Sequence, residues 1–266
     1  MNLPKLTQPI HELTLPSTGE KVLFRPFTVK EEKLLLMVID DEPEAQVRAL
    51  RQVLNNCLLP NKLGKTIDVS DLAIFDMDYI WLKIRSKSVE EIVTIPFECR
   101  QALPEGETLH NIDGTTRDYC GTVVQVPINL DKIEIKKNPK NTPKIELQDG
   151  VGILLRYPTF ETLQQITKLK ETNNIDSSFD VIFECTVMLF ESNGKTYEKE
   201  HIDKKEFIEF LEALSQAQFQ KIMDFFETLP VVRHEVHFNC PRCRHEADVV
   251  IEGTRSFLAS DSAMKV

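Results

Sequence analysis

The chain has 266 residues, 41% of them hydrophobic and 28% charged, with a formal net charge of −10. This length and balance suit one or two folded domains and exclude long disorder. The acidic excess argues against a nucleic-acid binder, which works by neutralising phosphates, and no stretch approaches the roughly 20 apolar residues of a membrane span.

The start, Met1-Asn2-Leu3-Pro4-Lys5, has no apolar core or small-residue cleavage site, so no signal peptide is expected. A reducing compartment is then the default, with the six cysteines as thiols or metal ligands. His11–Leu15 and Lys21–Arg25 alternate on either side of Pro16-Ser17-Thr18-Gly19 and predict an antiparallel hairpin. Thr28 followed by Glu31 has the spacing of a capping box for a first helix. Phe27 reads as a hydrophobic staple on that helix, or else, with Arg25 and Pro26, as a contact element.

A second helix is expected from about Glu44 to Leu58, with Cys57 on its apolar stripe. Ser70 is expected to cap a third, with Asp71 in its first turn and Leu72, Phe75, Met77, Ile80, Trp81 and Ile84 on its buried face. A strand, Glu91–Phe97, runs into Cys99. A polar excursion follows, Cys120 closes it, and a strand leaves through Thr122–Val126. The five lysines between Lys132 and Lys144 read as a solvated strand end and linker.

Asp149-Gly150 is a hairpin dipeptide between Lys144–Leu147 and Gly152–Arg156. Helices are expected at about Thr159–Lys170, Ser177–Phe190, Lys204–Leu214 and Ser215–Thr228, with Cys185 in the core and a turn at Asn193-Gly194. Val232–Phe238 then leads into Cys240-Pro241-Arg242-Cys243, and Ala247–Ile251 leaves it. Helix, strand, knuckle, strand thus occurs twice, at roughly 71–133 and 215–252, with Phe97-Glu98-Cys99 matching Phe238-Asn239-Cys240. The expected fold is α+β, in two halves, 1–136 and 137–266. The tail Phe257-Leu258-Ala259-Ser260 is a contact candidate, and residues beyond Ser260 are expected to be mobile.

Two hairpins with two thiols at each tip can meet around one tetrahedral ion, which predicts a structural zinc site of Cys99, Cys120, Cys240 and Cys243. His237 and His245 are the alternative ligands, and four reduced thiols without metal are the alternative state. Such a closed site leaves no position for a reacting water. No Gly-rich phosphate loop, HExxH or GxSxG is present, and the nine glycines do not cluster. The chain therefore does not read as an enzyme, and no small-molecule substrate is expected.

An ordered set of segments resembles the T4-type bacteriophage baseplate proteins of the hub-assembly group. The set comprises Leu15–Gly19, Phe24–Phe27, Lys30–Met37, Asp71-Leu72 through Trp81–Ser88, Leu155–Thr159 and Cys240–Cys243. The resemblance implies an assembly factor or component, chaperone-like in role, needed to build the central hub of the tail baseplate. Its partners would be other hub proteins. It would work in the host cytoplasm during phage assembly and could remain in the virion tail. The long Cys99–Cys120 excursion departs from a compact knuckle. The competing reading is a zinc-ribbon nucleic-acid-binding or transcription-associated module, although Glu235, Glu246 and Asp248 offset the charge of Arg242 and Arg244.

Overall fold

The structure, a computed structural model, describes residues 6–38, 41–61, 64, 66–111, 114–159, 161–162, 176–253 and 264–265. The expected hairpin is present, with β1 (His11–Thr14) antiparallel to β2 (Lys21–Phe24) and His11 opposite Phe24. A two-residue strand β3 (Leu58–Leu59) extends that sheet beside β2. Helix α1 (Val29–Leu36) opens on the predicted capping box, in which the Glu31 carboxylate accepts the Thr28 N–H at 2.8 Å. The same carboxylate pairs with the Arg25 guanidinium at 2.8 Å. These partners outweigh the opposing effect of burial and hold Glu31 at about 2. Phe27 stacks on Trp81 with ring centroids 5.9 Å apart, so this ring rests on the third helix as well as beside the first.

Helix α2 (Pro43–Cys57) carries proline in its first turn, where the missing N–H costs nothing. Cys57 lies on the buried stripe, as expected. The third helix starts later than the sequence suggests. Asp68, not Ser70, accepts the capping N–H, and Val69–Asp71 form only a 3-10 turn. Leu72 is extended, Ala73 bridges to Thr159, and α3 runs Ile74–Ser88. The expected apolar positions of α3 are buried, and so is Asp76, whose carboxylate accepts the Ser17 N–H at 2.9 Å. Together β1, β2, α2 and α3 enclose the first apolar core.

β4 (Ile92–Glu98) pairs antiparallel with β7 (Val123–Asn129). Between them the excursion forms its own short ladder, β5 (Leu109–His110) with β6 (Thr116–Arg117). β8 (Ile135–Lys136) joins β13 (Val231–Asn239), which pairs along its length with β14 (Glu246–Glu252). β15 (Met264–Lys265) lies parallel on β4. These two residues pair with Phe97 and Glu98, and the rest of the tail beyond Ser260 lies outside the described residues. The two hairpins close a second core on Phe97 and Phe238, whose rings stand 6.2 Å apart.

A four-stranded antiparallel sheet forms the third core, in the order β12 (Thr196–Glu198), β11 (Thr186–Phe190), β10 (Val151–Leu155), β9 (Lys144–Gln148). Its hairpin β9 (Lys144–Gln148) to β10 (Val151–Leu155) turns through Asp149 and Gly150, both at positive φ. The helix expected over 177–190 stops at Cys185: α4 is Asp176–Cys185, and Thr186–Phe190 is strand β11. Pairing of this β-branched and aromatic run with β10 and with β12 (Thr196–Glu198) overrides its local ambiguity. Helices α5 (Lys204–Glu212) and α6 (Gln216–Glu227) cover the sheet, and Ser215 with Gln218 caps α6. The expected helix at Thr159–Lys170 and the tail segment Phe257–Ser260 fall almost wholly outside the described residues. The chain is α+β, with six α-helices and several antiparallel sheets among the described residues.

Candidate metal centre

Four cysteines from two distant parts of the chain meet at the tips of the β4/β7 and β13/β14 hairpins. The sulfur atoms of Cys99, Cys120, Cys240 and Cys243 all lie within 4.8 Å of one another. Two contacts cross between the hairpins, Cys99 to Cys243 at 3.5 Å and Cys120 to Cys240 at 3.8 Å. A disulfide would need sulfurs about 2.05 Å apart, and all four are free. Zinc–sulfur bonds of about 2.3 Å in a tetrahedron put sulfurs about 3.8 Å apart, so the donor set fits such an ion. Cys99, Cys120 and Cys240 are buried, and Cys243 alone faces solvent.

The two turns share one hydrogen-bond pattern despite their unequal lengths. In the first, the Cys99 N–H donates to the Thr122 carbonyl at 2.9 Å, and the Gly121 N–H donates to the Cys99 carbonyl at 2.8 Å. In the second, the Cys240 N–H donates to the His245 carbonyl at 2.9 Å, and the Arg244 N–H donates to the Cys240 carbonyl at 2.9 Å. Each turn therefore sets two residues opposite one cysteine, as in a β-bulge. The residue after the second cysteine is left-handed in both, Gly121 at φ 63° and Arg244 at φ 60°. That conformation turns the chain so that each pair of thiols points out of the tip together.

Twenty residues between Cys99 and Cys120 do not separate the thiols because the excursion zips up behind them. The Cys120 N–H donates to the Gln101 carbonyl, Ala102 bridges to Tyr119, and the Leu103 N–H donates to the Asp118 carbonyl. The ladder thus passes through the cysteines and carries the polar loop beyond them. Arg100 lies over the Tyr119 ring at 4.1 Å and closes the flank.

The electrostatics prepare one thiolate above the others. Burial pushes the Cys240 thiol up, but the N–H groups of Cys243 and Arg242 and the neighbouring thiols outweigh it and pull it down to about 7. Burial pushes Cys99 up to about 12, against the N–H of Gln101, and raises Cys243 in the same direction. The Gln101 and Arg242 donors stand two residues after the first cysteine of each turn, so this feature also repeats. The Thr122 hydroxyl lies 3.2 Å from the Cys120 sulfur.

His237 and His245 stay outside the sulfur cluster. His237 is exposed and pairs through Nδ1 with Asp248 at 2.9 Å, while the His245 ring packs near Phe238. Cys57 and Cys185 are buried far along other elements, and burial raises both thiols. Sequence reasoning did not single out Gly121, Arg244 or Thr122. A glycine directly after Cys120 is the one signal that was available for them.

The family model for the T4 bacteriophage base plate protein matches residues 8–259, nearly the whole chain. The chain belongs to that family. No curated protein and no solved structure matches it. As a T4 bacteriophage base plate protein it belongs to the tail of a virus particle, where its partners are other phage proteins. No helix among the described residues is long and apolar enough to cross a membrane.

Proposed function

We propose that this base plate protein builds the central hub of the tail baseplate through protein–protein contacts, as an assembly factor or hub component, and catalyses no chemical step. Its partners are the other hub proteins, and it acts in the host cytoplasm while the tail is assembled. The family match over 8–259 is the observation that carries this reading. The surface of the β13/β14 hairpin agrees with it. Lys136 pairs with Glu235, Arg233 approaches Glu252, and His237 pairs with Asp248. Such alternation leaves no single-sign stripe for phosphates.

In the same reading, Cys99, Cys120, Cys240 and Cys243 hold a structural zinc ion and clasp the halves 1–136 and 137–266 together. The bound ion would supply cross-linking alone, because four sulfur ligands leave no open position.

Deleting the gene from the phage tests the assembly role. The expected outcome under electron microscopy is loss of complete baseplates, restored by the gene in trans, and normal tails would overturn it. Metal analysis of protein purified without chelator tests the clasp. About one zinc per chain is expected for a single four-ligand site. Well under half an equivalent, or full retention in Cys99→Ser, would overturn it.

A further inference from the structure

An apolar groove opens between α1, α2 and α3. It has a volume of about 350 Å³, and Leu35, Leu36, Val47 and Leu50 form its walls. Trp81 and Arg85 of α3 also line it. A wider hollow of about 1120 Å³ adjoins it and shares Phe27, Glu32 and Val89. The apolar surface continues along the rim, where Leu36 and Met37 are 58% and 77% exposed and Val89 is 56% exposed. Large apolar side chains gathered in one exposed patch mark an interaction surface.

Arg85 gives that surface a charge requirement. Its Nε is buried and has no hydrogen-bond partner, and neither does the neighbouring Trp81 Nε1. No ion pair joins Arg85 to Glu32 or to any other carboxylate among the described residues. Burial alone acts on the guanidinium and lowers its pKa. A half-buried cation without a counter-ion is costly unless something completes it, and removing water from the groove would raise that cost.

We propose that this groove receives a short apolar segment of another baseplate protein, and that one Asp or Glu on that segment pairs with Arg85. The inference rests on the assembly reading above and adds the surface and the chemistry of the partner. A groove of this size accommodates two or three aliphatic or aromatic side chains, and the carboxylate fixes their register. Apart from Arg85 and Glu32 the wall carries no charge, and Glu32 disfavours a second acidic residue on the segment.

Trp81 is the only tryptophan in the chain, so its emission reports what enters the groove. The test titrates full-length protein with 15-residue peptides tiling the baseplate hub proteins encoded by the same phage. The expected result is a saturable change in emission from a peptide with apolar residues at helical or alternate spacing and one acidic residue among them. The same peptide with Asn or Gln in place of the acid should bind at least tenfold more weakly. Against Arg85→Met protein, the acidic and amide peptides should bind alike.

Arg85→Met should also melt at the same temperature as the parent or higher, because it removes an unpaired half-buried charge. A purely structural arginine would instead lower the melting temperature and leave peptide binding unchanged, which overturns the proposal. It is equally overturned if no peptide changes the emission, or if acid and amide bind the wild type alike. Emission that depends on protein concentration alone would assign the groove to a second copy of this chain. A red shift on replacing Phe257 and Leu258 by serine would assign it to the chain's own tail. None of these outcomes touches the deletion phenotype, so the groove can fail while the assembly reading stands.

Discussion

The two cysteine turns reach one geometry from unequal sequences. Cys240 and Cys243 are separated by Pro241-Arg242, whereas Cys99 and Cys120 are separated by a whole subsidiary hairpin. Both nonetheless place two residues opposite the first cysteine and a left-handed residue after the second. A ligand turn is therefore defined by its backbone hydrogen bonds and not by its spacing in sequence. The two turns differ in one respect. The long turn has glycine at the left-handed position, and the short turn has arginine there.

The largest effect should come from removing a thiol. If the turns are equivalent, Cys240→Ser and Cys99→Ser should each lose the metal and more than about 3 kcal/mol of stability, read by denaturant unfolding with and without chelator. A clear difference between them would break the equivalence. Chelator should lower the parent to nearly the level of the variants and leave the variants almost unmoved.

A smaller effect separates the turns by pH in metal-free protein. Cys240 has a folded value near 7, below the ordinary thiol value of 9.0. Its contribution to stability is therefore fully present above 9 and is lost as pH falls through 7. Cys99 has a folded value near 12, above 9.0, so its contribution is present below 9 and is lost as pH rises toward 12. The melting temperature of metal-free protein should rise from pH 7 to 9 and fall beyond it. Cys240→Ser should abolish the rise alone, and Cys99→Ser should soften the fall.

Gly121→Ala should cost about 1–2 kcal/mol, since a left-handed residue with a Cβ is strained. The new atom would also press on the Arg117 side chain, 2.4 Å away, which can swing aside. The reciprocal change, Arg244→Gly, should gain up to about 1 kcal/mol at an open turn. Thermal melts of the two variants should therefore move in opposite directions. The smallest net effect is expected from excising residues 104–117 and joining Leu103 to Asp118 through Asn-Gly. Shorter loop closure favours the excised form by about 1–2 kcal/mol, and loss of the β5/β6 packing opposes it. Zinc content should not change. If it falls, the excursion does more than span the gap.

Much of the local structure was legible because single residues announce it. Thr28 with Glu31 and Asp149-Gly150 each formed the cap or turn that their chemistry predicts. The strands around the four cysteines, and the gathering of their sulfurs, were also legible from the repeated Phe-x-Cys. The failures lie where two local signals compete. Asp68 and Ser70 can both cap a helix, and the chain's pairing of Ala73 with Thr159 decided where α3 begins. Thr186–Phe190 continues an apolar helical pattern, and only the neighbouring strands convert it to β11. The left-handed Arg244 carried no sequence signal, because that conformation is imposed by the turn against the residue's own preference.

The second core has a consequence in time. It is built from Leu82 to Ile133 on one side and Val232 to Ile251 on the other. Nearly a hundred residues must be translated between its two parts, which takes on the order of 5–20 s at ribosomal rates. For that interval Ile95, Phe97 and Ile128 have no permanent cover, and Cys99 and Cys120 wait as an incomplete pair. The segment Val232–Ile251, synthesised later than those strands, both covers them and completes the sulfur cluster. A nascent chain that stalls before Cys240 would present sticky strand faces to its neighbours, so synthesis of Val232–Ile251 is also the step that covers those faces in a crowded assembly site.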